Sequence, residues 1–305
     1  MMPSTGTSTF FHMARAFSTS MTDTSCGVVT MTEPVTGTSW AKESCVSPVP
    51  GGKSTVATNL AVALARQGAA VGIMDADVFG PSIPQMMGPA EVETGMGEHS
   101  ILPAIHHGIK VVSVGFFVER GAAVMWRGPM IHKLITKFVE DVAWGELDYL
   151  VVDLPPGTGD TQISLAQLVP VTGAVMVTTP QEVSIIDVEK ALGMWKKVEV
   201  PVLGIIENMS YFACPKCGHH EEIFARGGGK QLAERESLPF LGEIPMLSSV
   251  RGSGDGGKPI VLAEPESPVA QSFLAIARRL ACAMSVRNLP DPGTAKRSSK
   301  LSVMK

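Results

Sequence analysis

The segment Gly51-Gly52-Lys53-Ser54-Thr55 places two glycines, an ammonium group and two hydroxyls directly ahead of an alanine-rich stretch. This is the composition of the second half of a phosphate loop. Lys53 can reach the β- and γ-phosphates of a nucleotide, the Ser54 hydroxyl can ligate Mg2+, and the amides that follow point at an anion from a helix N-terminus. Alone, the pentapeptide could equally be a Gly-rich turn before a capped helix. Two acidic motifs follow in the order that favours the phosphate reading. Asp75-Ala76-Asp77 ends an apolar run, where two carboxylates can hold a metal-bound water and orient an attacking one; a lone Asp there is more often a helix cap. Tyr149-Leu150-Val151-Val152 then delivers Asp153, suited to lie near Mg2+, with the Gly157 amide placed to sense a γ-phosphate.

Cys214 and Cys217 pose a second chemistry. A C-x-x-C turn sets two thiolates on one metal, whereas tetrahedral zinc or a four-iron cluster takes four ligands. One chain offers half a site, and a two-fold dimer would complete it. A zinc site finished by His219 or His220, a redox dithiol and an ordinary surface pair remain as alternatives. Cys282 falls on the last helix and reads as core, and Cys26 and Cys45 receive no role.

The elements that must position these groups follow from periodicity. Helices are expected over 56–67, 131–142, near 185–197 and over 268–287; buried strands over 70–74, 110–114, 149–152, 174–178 and 202–206. Such alternation argues for an α/β fold with a mainly parallel sheet flanked by helices. The 305 residues, 45% hydrophobic, suit one large domain, taken as 51–287. The net charge of -4 gives no field for nucleic acid. The mean hydropathy of +0.20 is read as a full core, since no uninterrupted apolar run nears the roughly 18–20 residues of a transmembrane segment. An odd count of five cysteines without a spaced framework argues against disulfides.

Residues 1–50 break the pattern. A phosphate loop needs a buried strand before its glycines, and residues 40–47 read as too polar; the β-like run 27–31 comes about twenty residues early. The upstream strand is therefore expected to be missing, and 1–50 to be disordered. Residues 1–22, rich in Ser and Thr and free of acids, resemble a thin mitochondrial transit sequence, with a cleavage-like Arg15-Ala16-Phe17-Ser18; an ordinary disordered tail is the alternative. Residues 288–305 read as a disordered basic tail.

Four motifs in order carry a family resemblance: Asp75 to Pro84, Trp126-Arg127-Gly128-Pro129-Met130, the Asp153 segment, and Asn208-Met209-Ser210-Tyr211-Phe212 leading into Cys214-Pro215-Lys216-Cys217. Together they resemble the Mrp/Nbp iron–sulfur carriers, most of all the mitochondrial NUBPL branch. The resemblance implies a deviant-Walker-A P-loop NTPase of the SIMIBI type that dimerises. It also implies ATP and Mg2+ as cofactors, Asn208 at the adenine with Glu243-Ile244-Pro245 close to the base, and a [4Fe-4S] cluster passed to apoproteins, with respiratory complex I subunits as recipients. By the same resemblance Lys53, Asp75 and Asp77 are catalytic; Gly51, Gly52, Lys53, Ser54, Thr55, Asp153, Gly157 and Asn208 bind nucleotide; Ser54 and Asp153 serve Mg2+; and Cys214 and Cys217 hold the cluster. One departure stands out. Where the family loop reads G-K-G-G-V, this chain has Ser47, Pro48, Val49, Pro50 and Gly51, losing the lysine at 48, the two loop glycines at 49 and 50 and the N–H groups that proline lacks. A misjoined exon, a splice form or a degenerate carrier would each explain it. A partitioning-type ATPase and a non-enzymatic metal scaffold with a decayed nucleotide site are the rival functions.

Overall fold

Apolar β-branched runs and alanine-rich amphipathic stretches alternate along the chain, and each becomes an element. The computed structural model describes residues 44–47, 52–97, 100–118, 128–155, 160–169, 171–214 and 216–288. Thr38–Met284 forms one unit, and of the second unit, Met1–Gly37 with Ser285–Lys305, only 285–288 are described. In chain order the elements are β1 (Ser44–Ser47), α1 (Lys53–Arg66), β2 (Val71–Asp75), α2 (Ile83–Met87), β3 (Gly95–Met96), β4 (Ile101–Leu102), β5 (Ala104–His106) and β6 (Ile109–Ser113). There follow α3 (Gly128–Glu140), β7 (Tyr149–Asp153), α4 (Asp160–Leu168), β8 (Gly173–Thr178), α5 (Glu182–Lys197), β9 (Val202–Ala213) and β10 (His220–Glu221). The chain ends with α6 (Gly228–Arg235), β11 (Phe240–Met246), α7 (Ser248–Asp255), α8 (Ile260–Ala263) and α9 (Pro268–Asn288).

The main sheet runs β10-β9-β8-β1-β7-β2-β6-β5, with β11 also on β9. All its pairings are parallel except those of β5 with β6 and β10 with β9. Successive strand residues face opposite sides, and both sides are apolar. Val151 joins a core layer with Leu60 and Leu64 of α1 and Phe273 and Ile276 of α9. Its neighbours Leu150 and Val152 join the opposite layer with Ile135 and Phe138 of α3 and Trp195 of α5. This is the two-sided burial that a parallel sheet requires. Helix α9 contains a 19-residue stretch, Pro268–Val286, long and apolar enough by composition to cross a membrane. Its Val269, Phe273, Ile276, Ala277, Leu280 and Met284 instead pack into the core, as in the core helix of a globular domain.

The expected elements all form, with bounds shifted by a few residues; β9 runs seven residues past the 202–206 core. One expectation is corrected. The strand taken to be missing before the phosphate loop is present as β1, at the centre of the sheet. Ser44, Cys45, Val46 and Ser47 pair with Leu150, Val151, Val152 and Asp153, while Cys45 and Val46 pair with Gly173 and Ala174. The physical reason is that a parallel ladder is built from backbone N–H and C=O groups, which any non-proline residue supplies. Strands β7 and β8 leave a slot one strand wide, and four residues fill it before Pro48, which has no N–H to continue the ladder. The sheet thus begins upstream of residue 51. The rest of the 1–50 expectation, including the run 27–31 and the transit sequence, lies outside the described residues, as does the tail beyond 288.

Candidate functional site

Parallel strands bring their C-terminal ends to one edge, where an open α/β sheet binds ligands. Register makes this edge specific: Ser47 pairs with Asp153, Asp153 with Asp75, and Asp75 with Ser113, a row across four strands. Helix α1 starts beside it. Gly52 caps that helix in the left-handed region (φ 77, ψ 34), the conformation that glycine supplies without strain. A Cβ there would lie 2.6 Å from Asn208 Nδ2, so Asn208, 7% exposed, rests against the phosphate-loop glycine from the middle of β9. Lys53 is buried at the first turn of α1, and its charge, with the nearby Ser54 hydroxyl, favours the ionised form of Asp153.

The three aspartates differ in what they touch. Asp75, fully buried, accepts the Ser113 hydroxyl at 2.8 Å and the amides of Asp77 and Ile83 at 3.2 and 3.4 Å. It therefore anchors the loop between β2 and α2. Burial, and then the charge of Asp153, push its carboxyl up to about 8. Among the described residues Asp77 takes only the Gly80 amide, at 3.3 Å, and keeps acceptor capacity. Asp153 is 1% exposed, and both its carboxylate oxygens lack a hydrogen-bond partner among the described residues. The Ser54 hydroxyl lies close enough to lower its proton affinity but outside hydrogen-bonding geometry; burial prevails and raises the carboxyl to about 6. A buried carboxylate left unpartnered is costly, and a hydrated divalent cation is a group that would satisfy it. Gly51, Gly157, Pro48, Val49 and Pro50, and the Trp126-Arg127 part of its motif, lie outside the described residues; Thr55 sits in the first turn of α1, its carbonyl accepting from Asn59.

Strand β9 continues past Asn208 to the cysteines. It turns tightly: the Cys214 amide donates to the His219 carbonyl at 2.8 Å, the Gly218 amide to the Cys214 carbonyl at 2.9 Å, and Gly218 has φ 70. His220 and Glu221 of β10 then pair back onto Ala213 and Phe212. The amides of Lys216 and Cys217, joined by the Cys217 thiol, hold the Cys214 thiol below its usual range, as suits a metal-binding thiolate. Cys214 is half-buried and Cys217 exposed. Among the described residues no group of three or more His, Cys, Asp or Glu is placed to hold a metal ion. Among the described residues His219 and His220 are not grouped with the cysteines, and His220 rests against the Tyr211 ring at 4.5 Å.

Sequence reasoning missed the polar cluster between the two chemistries. Glu207, fully buried, accepts the amides of Gly227 and Gly229 at 2.9 and 2.7 Å at the start of α6, and the Ser210 hydroxyl. Ser210 lies 3.1 Å from Glu243, which is paired with Arg226, and Arg226 stacks 4.7 Å over Tyr211. An acid inside the apolar run Ile205-Ile206-Glu207, with three glycines at 227–229, was the available signal.

Comparison with known proteins agrees with this geometry. The model of the ParA-type NUBPL iron-transfer P-loop NTPases matches residues 49–281, starting just past β1. An iron-sulfur cluster carrier protein of Deinococcus radiodurans is 52% identical over 79% of this chain and 68% of its own length. Those of Haemophilus influenzae and Escherichia coli are 46% and 47% identical, and the chain spans 62% and 66% of their lengths. A nucleotide-binding protein from Archaeoglobus fulgidus, solved in complex with ADP and with cobalt found, is 39% identical, with TM-score 0.64 over 76% of this chain and 91% of that one. The MinD protein of Pyrococcus horikoshii with Mg-ADP, 21% identical at TM-score 0.57 over 80% of this chain and 98% of that one, shares the fold. With phosphate-loop lysine, strand-end aspartates and cysteine turn on one sheet edge, and a family match over most of its length, the chain belongs to the NUBPL iron-transfer P-loop NTPases.

Proposed function

We propose that this chain is an ATP-dependent iron–sulfur carrier that holds a [4Fe-4S] cluster between two copies of itself and delivers it to apoproteins. The observation that carries the reading is the cysteine turn: two thiols on a closed hairpin, amides aimed at one sulfur, and no further donor set around them among the described residues. Half of a four-thiolate site calls for a second half, and a two-fold copy supplies it. A cluster split between subunits is released when they separate, which suits a carrier.

Nucleotide fits the other end of the edge. Lys53, Ser54 and Asp153 would hold the phosphates and their Mg2+, since the unpartnered oxygens of Asp153 and the glycine cradle at Gly52 have the shape and charge for them. The cation would neutralise phosphate charge during transfer. Asp77, with acceptor capacity left, would orient the attacking water, and Asp75 would fix the loop that carries Asp77. The Ser/Thr-rich, acid-free residues 1–22 support a mitochondrial matrix location, and the motif resemblance would make complex I subunits the recipients. The altered residues Pro48, Val49 and Pro50 favour one rival, a metal scaffold with a decayed nucleotide site.

Anaerobic reconstitution tests the reading. It should load about four irons per dimer, and Cys214→Ala or Cys217→Ala should abolish loading. Tight stoichiometric zinc in a monomer would establish the scaffold instead.

A further inference from the structure

The proposed function leaves the Glu207, Ser210, Glu243, Arg226 and Tyr211 cluster without a task. Its position is specific. At one end, Glu207 precedes Asn208, whose amide packs against Gly52 of the phosphate loop. At the other, Tyr211 carries His220, the first residue of the strand that returns from the cysteine turn. Between them the contacts are continuous: Ser210 bridges Glu207 and Glu243, Glu243 takes both arms of the Arg226 fork, and the guanidinium covers the Tyr211 ring. Glu207 and Glu243 sit on neighbouring strands in register. Burial of Glu207 and Ser210 fixes the inner end, while the Arg226–Glu243 pair is 39% and 34% exposed and is the end free to open.

From these contacts we infer that Arg226 is a positioning residue: it clamps the cysteine hairpin onto β9, and the clamp tightens when a nucleotide binds against Gly52. This rests on the proposed carrier reading. The stack Arg226, Tyr211, His220 presses β10 against β9, and β10 is only two residues long, so its ladder alone holds the turn weakly. A phosphate bound at Gly52, Lys53 and Ser54 fixes Gly52, and with it Asn208 and the β9 backbone from which Ser210 and Tyr211 project. The bidentate fork and the flat face over the ring are properties of Arg that Lys does not reproduce.

Amide hydrogen exchange across 210–221 tests this without any cluster. In the unmodified chain, Mg-ADP should slow exchange of the Cys214 and Gly218 amides about three- to thirtyfold, the range that an exposed cation–π contact plus an ion pair can supply. In Arg226→Ala the response should vanish, and in Arg226→Lys it should be partial, while calorimetry shows Mg-ADP still bound, weakened by no more than that same three- to thirtyfold because the coupling is reciprocal. An equal response in Arg226→Ala, or none in the unmodified chain, overturns the inference. Failure of the carrier reading would look different: no iron on reconstitution, with the exchange response intact.

Discussion

Replacing Gly52 with Ala tests whether the phosphate-loop corner is as tight as the structure makes it. Two costs arise. The backbone is left-handed at φ 77, which costs a residue bearing a Cβ about 1–2 kcal/mol. The new methyl would also lie 2.6 Å from Asn208 Nδ2, where ordinary contact begins at 3.4 Å. The Asn208 amide must therefore move by about 0.8 Å in a buried setting, and an off-rotamer side chain costs about 0.5–1.5 kcal/mol. Alanine recovers about 0.4–1 kcal/mol by restricting the unfolded chain. The net loss should be about 0.5–3 kcal/mol in urea unfolding. Asn208→Ala separates the two costs, because it removes the clash and leaves the strain. In that background Gly52→Ala should cost about 0.5–1.5 kcal/mol less, a coupling typical of residues in contact. Should Gly52→Ala match the unmodified chain within about 0.5 kcal/mol, or should the two changes add without coupling, the reasoning fails.

Three further outcomes are expected. Folding raises the carboxyls of Asp153 and Asp75 to about 6 and about 8 from 3.8, so their contribution to stability is complete below pH 3.8 and lost as pH rises through 6 and then 8. The urea midpoint of the nucleotide-free protein should fall from pH 5 to pH 8, and Asp153→Asn should reduce the slope between pH 5 and 6; a midpoint that rises over this range contradicts the assignment. Rebuilding the family loop with Ser47→Gly, Pro48→Lys, Val49→Gly, Pro50→Gly and Gly51→Val should tighten Mg-ATP binding by roughly two to four decades, two restored amide donors at about 1.5–3 kcal/mol each. Micromolar binding by the unmodified chain in calorimetry would show that those amides are not needed. Glu207→Gln turns an NH2 donor toward an amide that already donates, where the carboxylate accepts at 2.7 and 2.9 Å, and should cost about 1–3 kcal/mol in urea unfolding; an unchanged midpoint would mean that α6 is not held by that carboxylate.

Much of this was legible in the sequence because it depended on local pattern. The apolar runs at 70–74 and 149–152 end in acids, and an acid that ends a buried parallel strand has little choice but the ligand edge. The C-x-x-C spacing likewise declares its chemistry. What escaped reading depended on partners far away. Strand β1 is placed by the empty slot between β7 and β8 and by backbone hydrogen bonding, neither of which leaves a hydrophobic signature in Ser44-Cys45-Val46-Ser47. Asp75 and Asp77 looked alike in sequence, and only Ser113 and the amide of Ile83 reveal Asp75 as the anchor. Arg226 gave no hint either, since its meaning comes from Glu243 and Tyr211, which are distant in the chain and adjacent across strands.

Strand β1 has a further consequence for how the protein comes into being and fails. Its partners lie roughly a hundred or more residues later, so the middle of the sheet closes only by long-range pairing. Without β1 the chain would hold two half-sheets, β7-β2-β6-β5 and β8-β9-β11. The aspartates belong to the first half, Asn208 and the cysteine hairpin to the second. Only two residue pairs, Cys45 with Gly173 and Val46 with Ala174, join β1 to the second half. That short seam joins the phosphate-handling edge to the sulfur-bearing arm within the sheet, and a chain that lost it would have only the shared helix layer of α1 and α9 to hold the two chemistries in register.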